Sequence, residues 1–89
     1  MTKLEQARLI INNVDEEMAI LFEKRMNAVK EIALYKKENN LPIFDPLREA
    51  EVIKKNVEKI KNSELKVYYH DYLEMMMEIS KTYQQEIVE

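Results

Sequence analysis

At 89 residues, 46% hydrophobic and 35% charged, the chain has the length and composition of one small domain and is too apolar for disorder. A formal charge of −3 provides no basic footprint for nucleic acid. With no cysteine and a single histidine, His70, a disulfide framework, a thiolate metal site and a zinc centre are excluded.

The opening MTKLEQARLI has no long apolar run and no segment approaches membrane-spanning length, so a soluble, cytoplasmic chain is expected. Glycine is absent and both prolines, Pro42 and Pro46, fall in one short segment, which predicts an all-α chain with long helices. Leu4, Ile11, Val14, Met18, Leu21, Phe22, Val29 and Ile32 recur at three- and four-residue spacing, so the first helix is expected from about residue 5 to about residue 38. Asn39, Asn40 and Pro42 end it. Asp45 followed by Pro46 reads as an N-cap with proline at the first helical position, and Leu47, Ala50, Ile53, Val57 and Ile60 continue a second helix. Asn62 and Ser63 interrupt it. Ser63, with Glu64 behind it, is expected to cap a third helix carrying Leu65, Tyr69, Tyr72, Leu73, Met76, Met77, Tyr83 and Ile87.

A first helix of ~34 residues is ~51 Å long. A compact globule of this size has a radius of gyration near ~12 Å and a diameter of about 31 Å. The helix therefore overhangs any compact monomer while its apolar stripe runs nearly its full length. An antiparallel second copy around a two-fold axis covers it most economically, and an obligate homodimer is expected.

At ~100° per residue, Arg25 and Lys36 fall within roughly 20° of Met18, on the centre line of that stripe, with Arg8 and Asp15 on its flank. Cations in an apolar stripe need anionic partners. One reading pairs them with Asp15, Glu49 or another carboxylate in a buried salt-bridge network; the other gives them to a ligand. Arg8 and Lys36 lie ~42 Å apart along one helix and cannot hold one small molecule in cis. If two antiparallel helices cross near residue 19, Arg8 of one copy faces the interval between Arg25 and Lys36 of the other, making two composite sites.

On the third helix Ser80 and Gln84 sit one turn apart on the side of Leu73 and Met77, where a polar pair either satisfies itself or serves a site. Met75, Met76 and Met77, like Tyr69 and Tyr72, read as core filler. KKNVEKIKN reads as a solvated face and His70 as a residue without a role.

RLIINNVD with Arg8 and Asp15, EKR at Arg25, IALYK at Lys36, PIFDPLRE over residues 42–49, and Ser80 with Gln84 in S-x3-Q together resemble the all-helical class of chorismate mutases, across essentially the whole chain. The resemblance implies an intertwined helical homodimer whose sites draw on both subunits. It also implies the Claisen rearrangement of chorismate to prephenate, on the route to phenylalanine and tyrosine, without cofactor or covalent intermediate. Arg25 and Arg8 of the partner subunit would hold the two carboxylates of chorismate, with Arg48 and Ser80 assisting. Lys36 and Gln84 would donate to the ether oxygen, Glu49 would accept from the ring hydroxyl, and Asp45 would help at that end. An isochorismate-pyruvate lyase of the same fold would use much the same cations, although Glu49 and Gln84 favour the mutase. A non-catalytic helical dimer regulating or docking to a larger aromatic-pathway enzyme is the alternative of another class.

Overall fold

The computed structural model describes residues 1–89 as three α-helices and one short 3-10 turn, with no strand. The first helix, α1, spans Lys3–Glu38, 36 residues. Thr2 starts it with a capping box: its hydroxyl accepts from the Glu5 N–H at 3.1 Å, and the Glu5 carboxylate accepts from the Thr2 N–H at 3.3 Å. At the other end Asn40 takes the left-handed backbone at φ 54°. The Leu41 N–H donates to the Lys36 carbonyl at 2.9 Å and that of Asn40 to the Lys37 carbonyl at 3.4 Å, the bond pattern of a Schellman close. In a chain without glycine, asparagine fills the position because its short polar side chain tolerates that conformation.

The second helix, α2, spans Pro46–Val57 and is capped by Asp45, whose carboxylate accepts from the Arg48 N–H at 3.1 Å. It stops before Ile60, which the sequence pattern had included. Lys59 and Ile60 donate to the carbonyls of Asn56 and Val57, and these i→i−3 bonds tighten and end the last turn. The cap at the next junction is Asn62 rather than Ser63. Asn62 is extended at φ −81°, ψ 107°, and its side-chain oxygen accepts from the Glu64 N–H at 3.1 Å, so that Ser63–Leu65 forms the 3-10 turn. An asparagine here satisfies the orphan donors one residue earlier than the serine would. The third helix, α3, follows as Lys66–Val88.

Rising numbers run the same way on α1 and α3: one groove is lined by Asp15, Met18 and Phe22 with Tyr69, Tyr72 and Met76, and further along Arg25 meets Ser80. Against α2 the order reverses, with Glu49 beside Lys81 and Val57 near His70. α3 packs on both other helices, which do not pack on each other.

Packing within the chain is thin. Val29 and Ala33 of α1 and Leu73 and Met77 of α3 are the only buried apolar residues, α2 buries none, and every residue up to Lys24 is exposed. The radius of gyration is 16.3 Å and the outline 55 × 25 × 15 Å, so the chain is not the ~12 Å globule used as the sequence yardstick. Its long dimension is that of α1, ~54 Å at 1.5 Å per residue. The accessible surface is 7466 Å². Surface–mass scaling gives about 5500 Å² for a compact protein of this mass, so roughly 2000 Å² is in excess. That excess includes Leu9, Ile10, Ile11, Val14, Leu21 and Phe22, all 45% exposed or more. No helix is long and apolar enough to cross a membrane.

The close of α1 is open to test through its backbone alone. Asn40→Ala should lower the urea-unfolding free energy by about 1 kcal/mol, because a Cβ without a compensating polar group strains the left-handed position. Asn40→Gly should leave it unchanged or slightly higher. Equal stability of the alanine and glycine variants would show that φ at residue 40 is unimportant.

Candidate active site

Two helical stripes meet at the centre of the chain. On α1 the half-buried Arg25 and Lys36 bracket the buried Val29 and Ala33; on α3 Leu73, Met77, Ser80 and Gln84 are all buried. The spacings 25, 29, 33, 36 and 73, 77, 80, 84 each follow one helix face, so polar ends and apolar middles belong to the same contact.

The Arg25 guanidinium donates through Nη1 to Ser80 Oγ at 2.5 Å, and Ser80 Oγ donates to the Met76 carbonyl at 2.8 Å. With its proton given to Met76, the Ser80 hydroxyl faces Arg25 as an acceptor and orients it. Lys36 donates to the Ile43 carbonyl at 2.8 Å, a group delivered by the reversal after Asn40. An ammonium has three donors, so two remain for other partners. Neither cation forms an ion pair. The salt bridges are Arg48–Glu51, Lys81–Glu49, Lys81–Glu78 and the contacts of His70 with Asp71 and Glu74. A network joining the α1 cations to Asp15 or Glu49 is therefore absent.

Gln84 is 8% exposed, and its Oε1 is buried without a hydrogen-bond partner. Such an atom costs about 1–3 kcal/mol, and amide oxygen and nitrogen exchange places by a simple flip, so the group is available to a partner from outside the chain.

The α1–α2 corner brings up the remaining groups. Asp45 is occupied as the cap of α2. Arg48 is turned outward, its Nη1 2.7 Å from Glu51 Oε1 in a pair more than 60% exposed at both ends. An exposed i,i+3 pair of this kind is worth about 0–1 kcal/mol, too little to fix the guanidinium in place. Glu49 points inward and meets Lys81, whose Nζ lies 3.2 Å from Oε2 and 3.5 Å from Oε1. Lys81 also reaches Glu78 Oε1 at 2.8 Å and sits 4.5 Å from the centre of the Phe44 ring. The hydrogen bond that the ammonium donates to Glu78 is the largest influence and, with the weaker one to Glu49, holds Lys81 above the usual lysine range against the opposing effect of burial.

Lys81 was not among the residues singled out in the sequence. It falls between Ser80 and Gln84 but one position off their face, and only the placing of α2 shows what it meets. Arg8 is exposed and far from the cluster, ~26 Å from Arg25 along α1. The chain thus brings together Arg25 with Ser80, and Glu49 with Lys81, places Lys36 and Gln84 on the same two stripes, and leaves Arg8 and the Arg48 head outside.

Comparison with protein families matches residues 7–85 to chorismate mutase type II, a span that includes all eight site residues expected from the sequence. Neither the curated proteins nor the solved structures contain a significant match to the chain. With nearly its whole length matched, the chain belongs to the chorismate mutase type II family.

Proposed function

We propose that the protein is a chorismate mutase that converts chorismate to prephenate in phenylalanine and tyrosine biosynthesis, acting as an intertwined homodimer with two shared sites. One observation carries the reading: Arg25 and Lys36, half-buried on the inner stripe of α1, have only neutral oxygen partners in Ser80 and Ile43. Partly desolvated cations without an anion are costly, and a ligand bearing carboxylates relieves that cost. Chorismate has two carboxylates, and guanidinium forks bind carboxylates bidentately.

In this reading Arg25, held by Ser80, takes one carboxylate and Arg8 of the partner subunit takes the other, with Arg48 released from Glu51 to assist. Clamped at both ends, the enolpyruvyl chain folds over the ring in a near-attack conformer. As the C–O bond breaks, negative charge grows on the ether oxygen, and the two free donors of Lys36 and the Gln84 amide stabilise it more in the transition state than in the substrate. Glu49 accepts from the ring hydroxyl, with Asp45 and the first turn of α2 at the same end. No proton leaves the substrate and no covalent bond to the protein forms.

The dimer rests on the excess surface. Roughly 2000 Å² per chain, about 4000 Å² for a pair, lies in the range of obligate homodimers. Because the N-terminal half of α1 carries both the uncovered apolar stripe and Arg8, covering it with a second copy also carries Arg8 into a site.

Purified protein incubated with chorismate, without metal or nucleotide, should yield prephenate. Pyruvate from chorismate, or turnover of isochorismate alone, would replace the mutase with a lyase. Gln84→Ala should lower kcat about 100- to 1000-fold with a smaller change in KM, the loss expected for one donor to developing charge. Gln84→Glu can donate only when protonated, so its activity should persist in acid and fall as pH rises through the new carboxyl's pKa, while the parent stays comparatively flat. Matching pH profiles would remove residue 84 from the breaking bond.

Shared sites have their own test. Arg8→Ala and Lys36→Ala homodimers should each be inactive. Unfolded together at equal amounts and refolded, they form about half heterodimers with one intact site of two, so about a quarter of parental activity should return. Heterodimers that assemble yet stay inactive would mean that each site is built within one chain.

A further inference from the structure

Lys81 makes the only ion pair between two helices of the chain, since all the others join residues three or four apart, or adjacent, on one helix. Its ammonium spans both oxygens of Glu49, at 3.2 and 3.5 Å, and both side chains are about three-quarters buried, at 24% and 22% exposure. Glu78 holds the same ammonium from the solvent side at 2.8 Å, and Phe44 of the corner lies 4.5 Å from it, within cation–π range. One side chain of α3 thereby ties down the corner and the first turn of α2, a helix that buries none of its own residues.

Resting on the mutase reading above, we propose that Lys81 is a positioning residue: it holds the Glu49 carboxylate in place to accept the ring hydroxyl of chorismate. A carboxylate offers about four lone-pair sites, so Glu49 keeps acceptor capacity after meeting Lys81. Glu78 shares the lysine charge, which leaves the cluster net negative and Glu49 still attractive to a hydroxyl donor. Without Lys81, Glu49 would keep three side-chain torsions and nothing on α3 to fix them. The contact with the hydroxyl is made in substrate and transition state alike, so its loss falls mainly on KM.

The chain has no cysteine, so Lys81→Cys gives a thiol that can be modified at one position. Lys81→Cys should raise KM for chorismate tenfold or more with kcat within about threefold. Alkylation with 2-bromoethylamine rebuilds an ammonium of nearly lysine length and should restore most of the loss; alkylation with iodoacetamide, which leaves a neutral group, should not. In a Glu49→Gln background both the substitution and its aminoethylation should change KM less than twofold. Lys81→Met, matched in length, serves as a second variant, and urea unfolding of each protein separates a positioning loss from a folding loss. Equal rescue by the neutral reagent, or an undiminished effect in the Glu49→Gln background, overturns the role. A parent inactive on chorismate would instead sink the functional reading, whereas an active parent beside an unimpaired Lys81→Cys sinks only the role of Lys81.

Discussion

From Lys3 to Glu38 the backbone of α1 continues as one helix without a break, and this places Arg8, Arg25 and Lys36 on one stiff rod. Its length is nearly the full 55 Å of the chain, and every one of its residues before Arg25 is exposed. The uncovered part keeps an apolar stripe in water, a state that the hydrophobic effect opposes in proportion to area. Any partner that covers Val14, Leu21 and Phe22 also sets the surroundings of Arg8, because all four lie on the same exposed stretch of α1.

The electrostatics of the chain divide by helix. α1 holds its inner basic side chains against neutral oxygens, with no carboxylate paired to either. Glu49, by contrast, is compensated from α3, by Lys81. Neither Lys36 nor Arg25 pairs with Glu49, so both inner cations are left without a carboxylate partner.

Much of the fold was legible in the residues because it is local. The end of α1 at Asn39 and Asn40 and the start of α2 at Asp45–Pro46 depend on cap chemistry within a few residues, and both stand where the pattern put them. The misplaced features are local competitions. Asn62 and Ser63 are adjacent and both able to cap, and α2 ends three residues before its last apolar position through bonds that periodicity does not register. Of the candidate site, the stripe positions of Arg25, Lys36, Ser80 and Gln84 follow from helical spacing alone.

The sequence by itself determined the helices, their approximate limits, the amphipathic faces and the presence of cations where apolar residues belong, since each depends on a period of 3.6 residues and on neighbours along the chain. Only the tertiary structure decided which partners those groups meet: Ser80 rather than a carboxylate for Arg25, the Ile43 carbonyl for Lys36, Glu51 for Arg48 and Lys81 for Glu49. Three of these four contacts depend on how a segment distant in sequence, or the turn after Asn40, packs back on a helix. The fourth, Arg48 with Glu51, is a choice among exposed rotamers of similar energy, which spacing permits but does not select.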